Sequence, residues 1–413
     1  MMKSIVSYFF LALLIMGCNS KKQPSDESSS KESGFQSDVT FLKHFTDIIV
    51  LEEPSGKGKV AVSAALQGRV MTSTSEGDDG MSYGWINRNA FLSGDTSEHI
   101  NVFGGEDRFW LGPEGGQYSI YFAKGKDFTL DNWHVPRLID LDPFQVASVS
   151  ATDATFTKEA ELANYSGAVF RLGINRTVKL IGKEEARHQL GLDSVTDVSF
   201  VAYETINTLK NTGNDPWKKE TGLLSIWILG MFNPSENTTI IIPYHGKSNS
   251  LHDVVNDRYF GPVPGERLKI DDKAVYFSGD GTYRSKIGLS AAVAGDWLGS
   301  YDADNGVLTL VKYTKPEGAK DYVNSLWELQ KEPYRGDVVN AYNDGPPSPG
   351  AKPLGPFYEL ESSSPAAALE PGGSITHVHT TYHIKGTTEQ LDPIMLRLLG
   401  VDSGKAVRAF GGK

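Results

Sequence analysis

Cysteine is almost absent: Cys18 is the only one in 413 residues. No intramolecular disulfide can form, so packing and hydrogen bonds must hold the fold. Beyond the N-terminus no segment reaches the roughly 18 uninterrupted apolar residues that a transmembrane helix needs. Positive charge is in deficit, with 40 Lys and Arg against 51 Asp and Glu and a formal net charge of -11. This balance disfavours nucleic acid as a partner, because phosphate backbones are gripped by excess cations. The sequence holds no G-x-G-x-x-G, P-loop, H-E-x-x-H or G-x-S-x-G pattern. Nucleotide cofactors and a serine-hydrolase mechanism are disfavoured with them. No internal repeat or coiled-coil heptad is visible.

What is present begins with a leader. MMKSIVSYFFLALLIMG has an early lysine, an apolar run and a small residue before the cysteine, the pattern of a secretory signal peptide. Ile15-Met16-Gly17-Cys18 resembles a bacterial lipobox, which implies cleavage before Cys18 and lipidation of its sulfur. The alternative is an ordinary secretory signal with a stray cysteine. Asn19 to Asp38 is rich in Ser, Lys and acidic residues with no apolar period, and reads as a flexible tether. The expected organisation is a signal peptide over 1–17, a lipidated cysteine and tether over 18–39, a single domain over 40–400, and a tail over 401–413. The expected location is the cell envelope, with the membrane touched only through the N-terminal lipid anchor.

The remainder reads as β-structure. Lys59–Leu66, Gly68–Thr72, Gln117–Ala123, Gly222–Met231, Thr238–Pro243 and Ile375–Ile384 are apolar or alternating runs bounded by Gly, Pro and Ser. Helical spacing is seen in Phe41–Leu51, in Lys183–Leu190, in one or two turns over Ala319–Leu326 and in a segment around Leu391–Leu399. Many short strands, few helices and frequent glycines point to an all-β sandwich, large but still one domain.

Two stretches carry candidate chemistry. Glu98–Gly116 crowds His99, Asn101, Glu106, Asp107, Arg108, Trp110 and Glu114 together with five glycines. Charge beside large aromatics suits a pocket wall; the alternative is a buried ion-pair cluster at a sheet crossing. In the late stretch Phe357–His383, strand periodicity puts Glu359 and Glu361 on one face. Two carboxylates on one face are costly to bury unless one keeps a proton or a cation sits between them, and such groups acquire tuned pKa values. By the same periodicity His377, His379 and His383 share a face. They are either weak ligands for a divalent metal, substrate contacts or structural groups. Arg284 and Lys286 also share a face and could grip hydroxyls or a carboxylate. Trp85, Trp110, Trp133 and Trp297 could offer stacking platforms for sugar rings.

These residues resemble a known family. Strand-borne histidine early, ELESSSPAAALEPG late and RSKIG before a tryptophan resemble the galactose mutarotase-like β-supersandwich. They look in particular like lipoproteins of Bacteroidetes related to aldose 1-epimerases. The resemblance covers about residues 55–385 and implies a carbohydrate partner, monosaccharide or polysaccharide. In aldose 1-epimerases a histidine acts as acid at the ring oxygen and a late glutamate as base at the anomeric hydroxyl. By order along the chain the resemblance gives the base position to Glu361 or Glu359 and the acid position to His99. One departure stands out: the epimerase-type His-Pro-Tyr-Phe segment is missing, and Tyr244-His245 after Pro243 is its nearest echo. The same supersandwich hosts polysaccharide lyases and glycoside-processing enzymes, so epimerase, lyase, hydrolase and non-catalytic glycan binder all remain open. The expected site is one cleft lined by Glu98–Gly116, Arg284, Lys286, Glu359, Glu361 and His377–His383. Within it Glu361→Gln should abolish turnover and keep both binding and the fold.

Overall fold

The computed structural model describes residues 34–191, 198–246 and 250–411. The expected signal peptide, Cys18 and the tether as far as residue 33 lie outside the described residues. The strands in chain order are β1 (Ile49–Glu52), β2 (Lys59–Ser63), β3 (Arg69–Thr74), β4 (Arg108–Gly112), β5 (Gln145–Val149) and β6 (Asp153–Ala163). They continue with β7 (Val169–Leu180), β8 (Ser199–Asn211), β9 (Ser225–Phe232), β10 (Thr238–Pro243), β11 (Leu268–Ile270) and β12 (Ala274–Ser278). The last are β13 (Ser285–Ser290), β14 (Trp297–Asp302), β15 (Val307–Tyr313), β16 (Asp337–Asn343), β17 (Tyr358–Ser363) and β18 (Ser374–Lys385).

These strands make a three-stranded sheet, β1-β2-β3, and two large ones. The ten-stranded sheet runs β11-β12-β10-β14-β15-β18-β8-β7-β6-β5, and the five-stranded sheet runs β13-β16-β17-β9-β4. One core cluster joins Ile240, Val275 and Val311 of the larger sheet to Ile287, Val339 and Leu360 of the smaller. Ser300 and Tyr358 also bond across the gap through their hydroxyls at 2.8 Å. The two large sheets therefore stack as the sandwich that the alternating runs imply.

The smaller sheet has a second face. Residues directly opposite one another in an antiparallel ladder share a face. Register puts Lys286, Tyr342, Glu359 and Met231 in one row, and Asn340, Glu361, Leu229 and Arg108 in the next. Trp227 and Trp110 follow in a third row. Part of the cover over this face is Gln117–Ala123, which reads as a strand in sequence but folds irregularly, with one bridge from Phe122 to Trp133. Ile120, Tyr121 and Phe122 are all buried in succession, which a one-faced strand would not allow. A turn held by the Ser119 hydroxyl, which accepts from the Tyr121 N–H at 3.0 Å, makes this arrangement feasible.

The ends differ from expectation. The compact body begins at Gly34, and the first helix is Phe35–Leu42, burying Phe35, Val39 and Leu42 on one helical stripe. The expected tail holds a helix, Ser403–Arg408, with Val401 and Ala406 packed in a core cluster. Lys183–Leu190 is helical as its sequence suggests. Among the described residues no helix is long and apolar enough to cross a membrane.

Candidate functional site

Glu359 and Glu361 project side by side from β17 onto the covered face, as their spacing requires. Each has its own cation. Lys286 donates to both carboxylate oxygens of Glu361, at 3.0 and 2.9 Å. The Trp227 indole N–H adds a third donor to Glu361 Oε2 at 2.9 Å. Arg108, from β4, pairs with Glu359 Oε1. Burial and the neighbouring Glu361 push the Glu359 carboxyl up to about 8, against the pull of Arg108 and Lys286. Burial also opposes the Lys286 ammonium, yet the carboxylates of Glu361, Glu114 and Glu359 outweigh it and raise its pKa.

A third carboxylate reaches the group from the cover. Burial raises the pKa of Glu114, with Lys286 acting against it and Glu361 with it. With Asp337, which also feels the Lys286 charge, four buried carboxylates share two cations, and burial raises the pKa values of Glu359, Glu114 and Asp337 in favour of their protonated forms. Aromatic rings enclose them. Trp110 lies under Arg108 at 5.2 Å and meets Trp227 edge-on at 5.7 Å. Lys286 sits 4.6 Å from the Trp227 ring and 5.4 Å from Tyr259. Tyr259 in turn donates to Asp337 at 2.7 Å. The cavity against Lys286, Trp227, Tyr259 and Asp337 is only about 10 Å³.

Expectation and structure part at the histidines. His377, His379 and His383 share a face as their spacing implies, but it is the face turned toward the smaller sheet's inner side. Ser362, which alternates with Glu361 along β17, lies 2.8 Å from His377 Nε2 and 2.8 Å from His379 Nδ1. Since β17 alternates, the glutamates point to one side of their sheet and Ser362 with its histidines to the other. A single cleft lined by both groups is therefore corrected to two separate polar clusters. Burial holds His377 and His379 neutral, with pKa values of about 3. His383 Nδ1 lies 3.0 Å from Thr309 Oγ1, its Nε2 lies 3.3 Å from Glu106, and Tyr83 stacks on its ring. Among the described residues no three His, Cys, Asp or Glu side chains converge as metal ligands would.

The Glu98–Gly116 stretch contributes to both clusters. Glu106 and Asp107 go inward, Asp107 pairing with Arg176 at 2.6 Å and accepting from Thr205 at 3.0 Å. Arg108 and Trp110 go outward to the glutamates. The turn that allows this uses Gly104, at φ 91, where a Cβ would lie 2.1 Å from the Trp85 carbonyl oxygen. The Asp107–Arg176 pair fits the buried ion-pair alternative for the stretch.

His99 is not among the groups that contact the glutamates. It sits in a loop, its Nδ1 2.7 Å from the Trp133 carbonyl oxygen and its ring stacked on His134. Asn101 is engaged with Asp140, its side chain donating at 2.7 Å. Arg284 lies 4.0 Å over the Phe260 ring at the edge of the sheet. Trp227, Tyr259 and Asp337 are the members that sequence reasoning missed. Trp227 hides in an apolar run, and Tyr259 and Asp337 have no local pattern. Glu114 carried a signal, standing within the polar–aromatic stretch.

Known structures share this fold. The chain is similar to the Slr1438 protein of Synechocystis sp. PCC 6803, at 13% identity over 83% of this chain and 98% of that one, with a TM-score of 0.51. It is similar to a candidate aldose 1-epimerase of Escherichia coli K12, at 11% identity over 83% and 100%, TM-score 0.50. A galactose mutarotase-like protein of Lactobacillus casei ATCC 334 matches at 11% identity over 82% and 100%, TM-score 0.46. At such identities the likeness concerns the fold alone, a mostly β sandwich with few short helices like that of the first two of these structures. The chain itself belongs to the family of unknown function DUF6786, whose model matches residues 33–410. A comparison with curated proteins finds no match.

Proposed function

We propose that this protein acts on carbohydrate in a bacterial cell envelope, held there by a lipid on Cys18 in the manner of Bacteroidetes lipoproteins. The chemistry is acid–base work at a sugar by Glu359 and Glu361, epimerase-like or glycan-cleaving. One observation carries this reading: two glutamates two residues apart, buried among tryptophans and each held by its own cation, of which Glu359 has its pKa raised to about 8 by burial. In the proposed step Glu361 takes a proton from the sugar and Glu359, in its protonated form, supplies one. Arg108 and Lys286 steady the charge that develops. Glu359 thereby fills the acid position that the family resemblance gave to His99.

The test is proton NMR of the anomeric region, with the mature protein, a panel of mono-, oligo- and polysaccharides, and divalent metal present or absent. Accelerated α/β exchange identifies a mutarotase, new reducing ends a hydrolase, and an alkene proton a lyase. Glu361→Asp, which keeps the charge but withdraws it from the sugar, should lower the rate by about two orders of magnitude or more. An unchanged rate in that variant would remove Glu361 from the chemistry.

The closeness of the site favours a second reading. Glu361 is fully buried and the adjoining cavity is far smaller than a sugar ring. On this reading the glutamates are a structural charge cluster and the protein is a glycan-binding lipoprotein without turnover. Line broadening of a sugar with no chemical change in the same spectra would select it.

A further inference from the structure

Next to the buried glutamates, at the β13–β16 edge of the smaller sheet, two aromatic rings stand out into solvent. Phe260 is 46% exposed and Tyr283 is 42% exposed. Each ring is attended by a guanidinium: Arg284 lies 4.0 Å from the Phe260 centroid and Arg267 lies 5.3 Å from the Tyr283 centroid. Neither ring belongs to a buried core cluster, and exposed aromatics beside guanidiniums suit a contact surface.

The two rings are held ready. Asp280 pairs with Arg267 at 2.5 Å and accepts from the Thr282 N–H at 3.0 Å. Asn343, the last residue of β16, accepts from the Gly281 N–H at 2.8 Å and donates to the Tyr283 carbonyl at 3.0 Å. The loop bearing Tyr283, which crosses from β12 of the larger sheet to β13 of the smaller, is thereby pinned to the strand beside β17, and little entropy is lost when a ligand settles on it.

The surface is continuous with the candidate site. Tyr342, directly opposite Glu359 in the ladder, meets Phe260 edge-on at 5.9 Å. Tyr259, the residue before Phe260, packs against Lys286. One short segment thus touches the glutamate–lysine group with one ring and offers the next ring to solvent.

We propose that Phe260 and Tyr283 form an outer subsite for further sugar units, so that the ligand is a glycan chain longer than a monosaccharide. The inference rests on the carbohydrate reading of the glutamate site. An aromatic face matches the apolar face of a pyranose, and the adjacent guanidiniums offer donors to the hydroxyls on its rim. One unit of the chain is processed at Glu359 and Glu361, and its neighbours lie across Phe260 and Tyr283.

The test uses the whole mature protein and linear gluco-, galacto- and manno-oligosaccharides of one to six units. Binding is followed by saturation-transfer NMR and titration calorimetry, beside the turnover assay. Affinity should rise with chain length for one series. Phe260→Ala with Tyr283→Ala should erase that rise, a loss on the order of tenfold for the longest members, and leave the monosaccharide response unchanged. Turnover of a monosaccharide with no dependence on length overturns the outer subsite and leaves the acid–base reading standing. Length-dependent binding that the double variant keeps overturns it too. Length-dependent binding lost in the double variant, without turnover in the wild type, supports the subsite and rejects the chemistry. Silence across the whole panel overturns both.

Discussion

Lys286 changes what a mutation at Glu361 means. Both carboxylate oxygens of Glu361 are occupied by one buried ammonium. Removing one partner of such a pair leaves the other charge buried and alone, typically at about 3–5 kcal/mol. Glu361→Gln should therefore lose stability as well as activity, contrary to the sequence-based expectation that the fold is kept. Lys286→Met combined with Glu361→Gln should recover much of the loss, because neither charge remains. Chemical denaturation of the two single variants and the double variant forms the cycle that measures this coupling. Additive effects in that cycle would deny the pairing an energetic role.

Strand β17 is the element on which the molecule turns. Glu359 and Glu361 serve one face, and Leu360 and Ser362 serve the sandwich interior. A slip of one residue would exchange these faces. Ser362 is the polar tie across the gap, because its hydroxyl can donate to one histidine ring and accept from the other. Ser362→Ala should strand a buried ring nitrogen on each of His377 and His379. At about 1–3 kcal/mol for an unsatisfied buried group, the variant should melt well below the wild type. The covered face would remain intact, so tryptophan fluorescence of the native state should not move. A variant of wild-type stability would show that the histidines find equal partners elsewhere.

Two buried clusters with opposite titration behaviour should shape the stability of the whole molecule. His377 and His379 have pKa values depressed to about 3, against about 6.5 in an unfolded chain. Below about pH 6.5 the unfolded state binds protons that the folded state refuses, so stability falls as pH drops toward about 3. Glu359 is the reverse case, raised to about 8. Its contribution is complete below the unfolded glutamate value and fades as pH climbs from about 4.3 through about 8. Thermal melts should thus lose stability on both sides of a broad optimum near pH 6. Glu359→Gln, which mimics the protonated form, should flatten the alkaline limb and leave the acid limb in place. An alkaline limb unchanged in that variant would assign it to another group.

Local periodicity was enough for several conclusions. All-β architecture followed from short apolar runs and glycine breaks. The helix Lys183–Leu190, the buried strand through Trp227 and the shared faces of Glu359 with Glu361 and of His377 with His379 and His383 followed from spacing. Each depends only on neighbours within a few residues, and side-chain direction in a regular strand or helix is a local property. What periodicity cannot reach is which sheet a face looks toward. That choice put the glutamates and the histidines on opposite sides of one sheet and divided Glu106 from Arg108. It also brought Lys286, Glu114 and Tyr259 to the same carboxylates. It is made by strand order and by the apolar area each face must cover, quantities that exist only once the sheets have stacked.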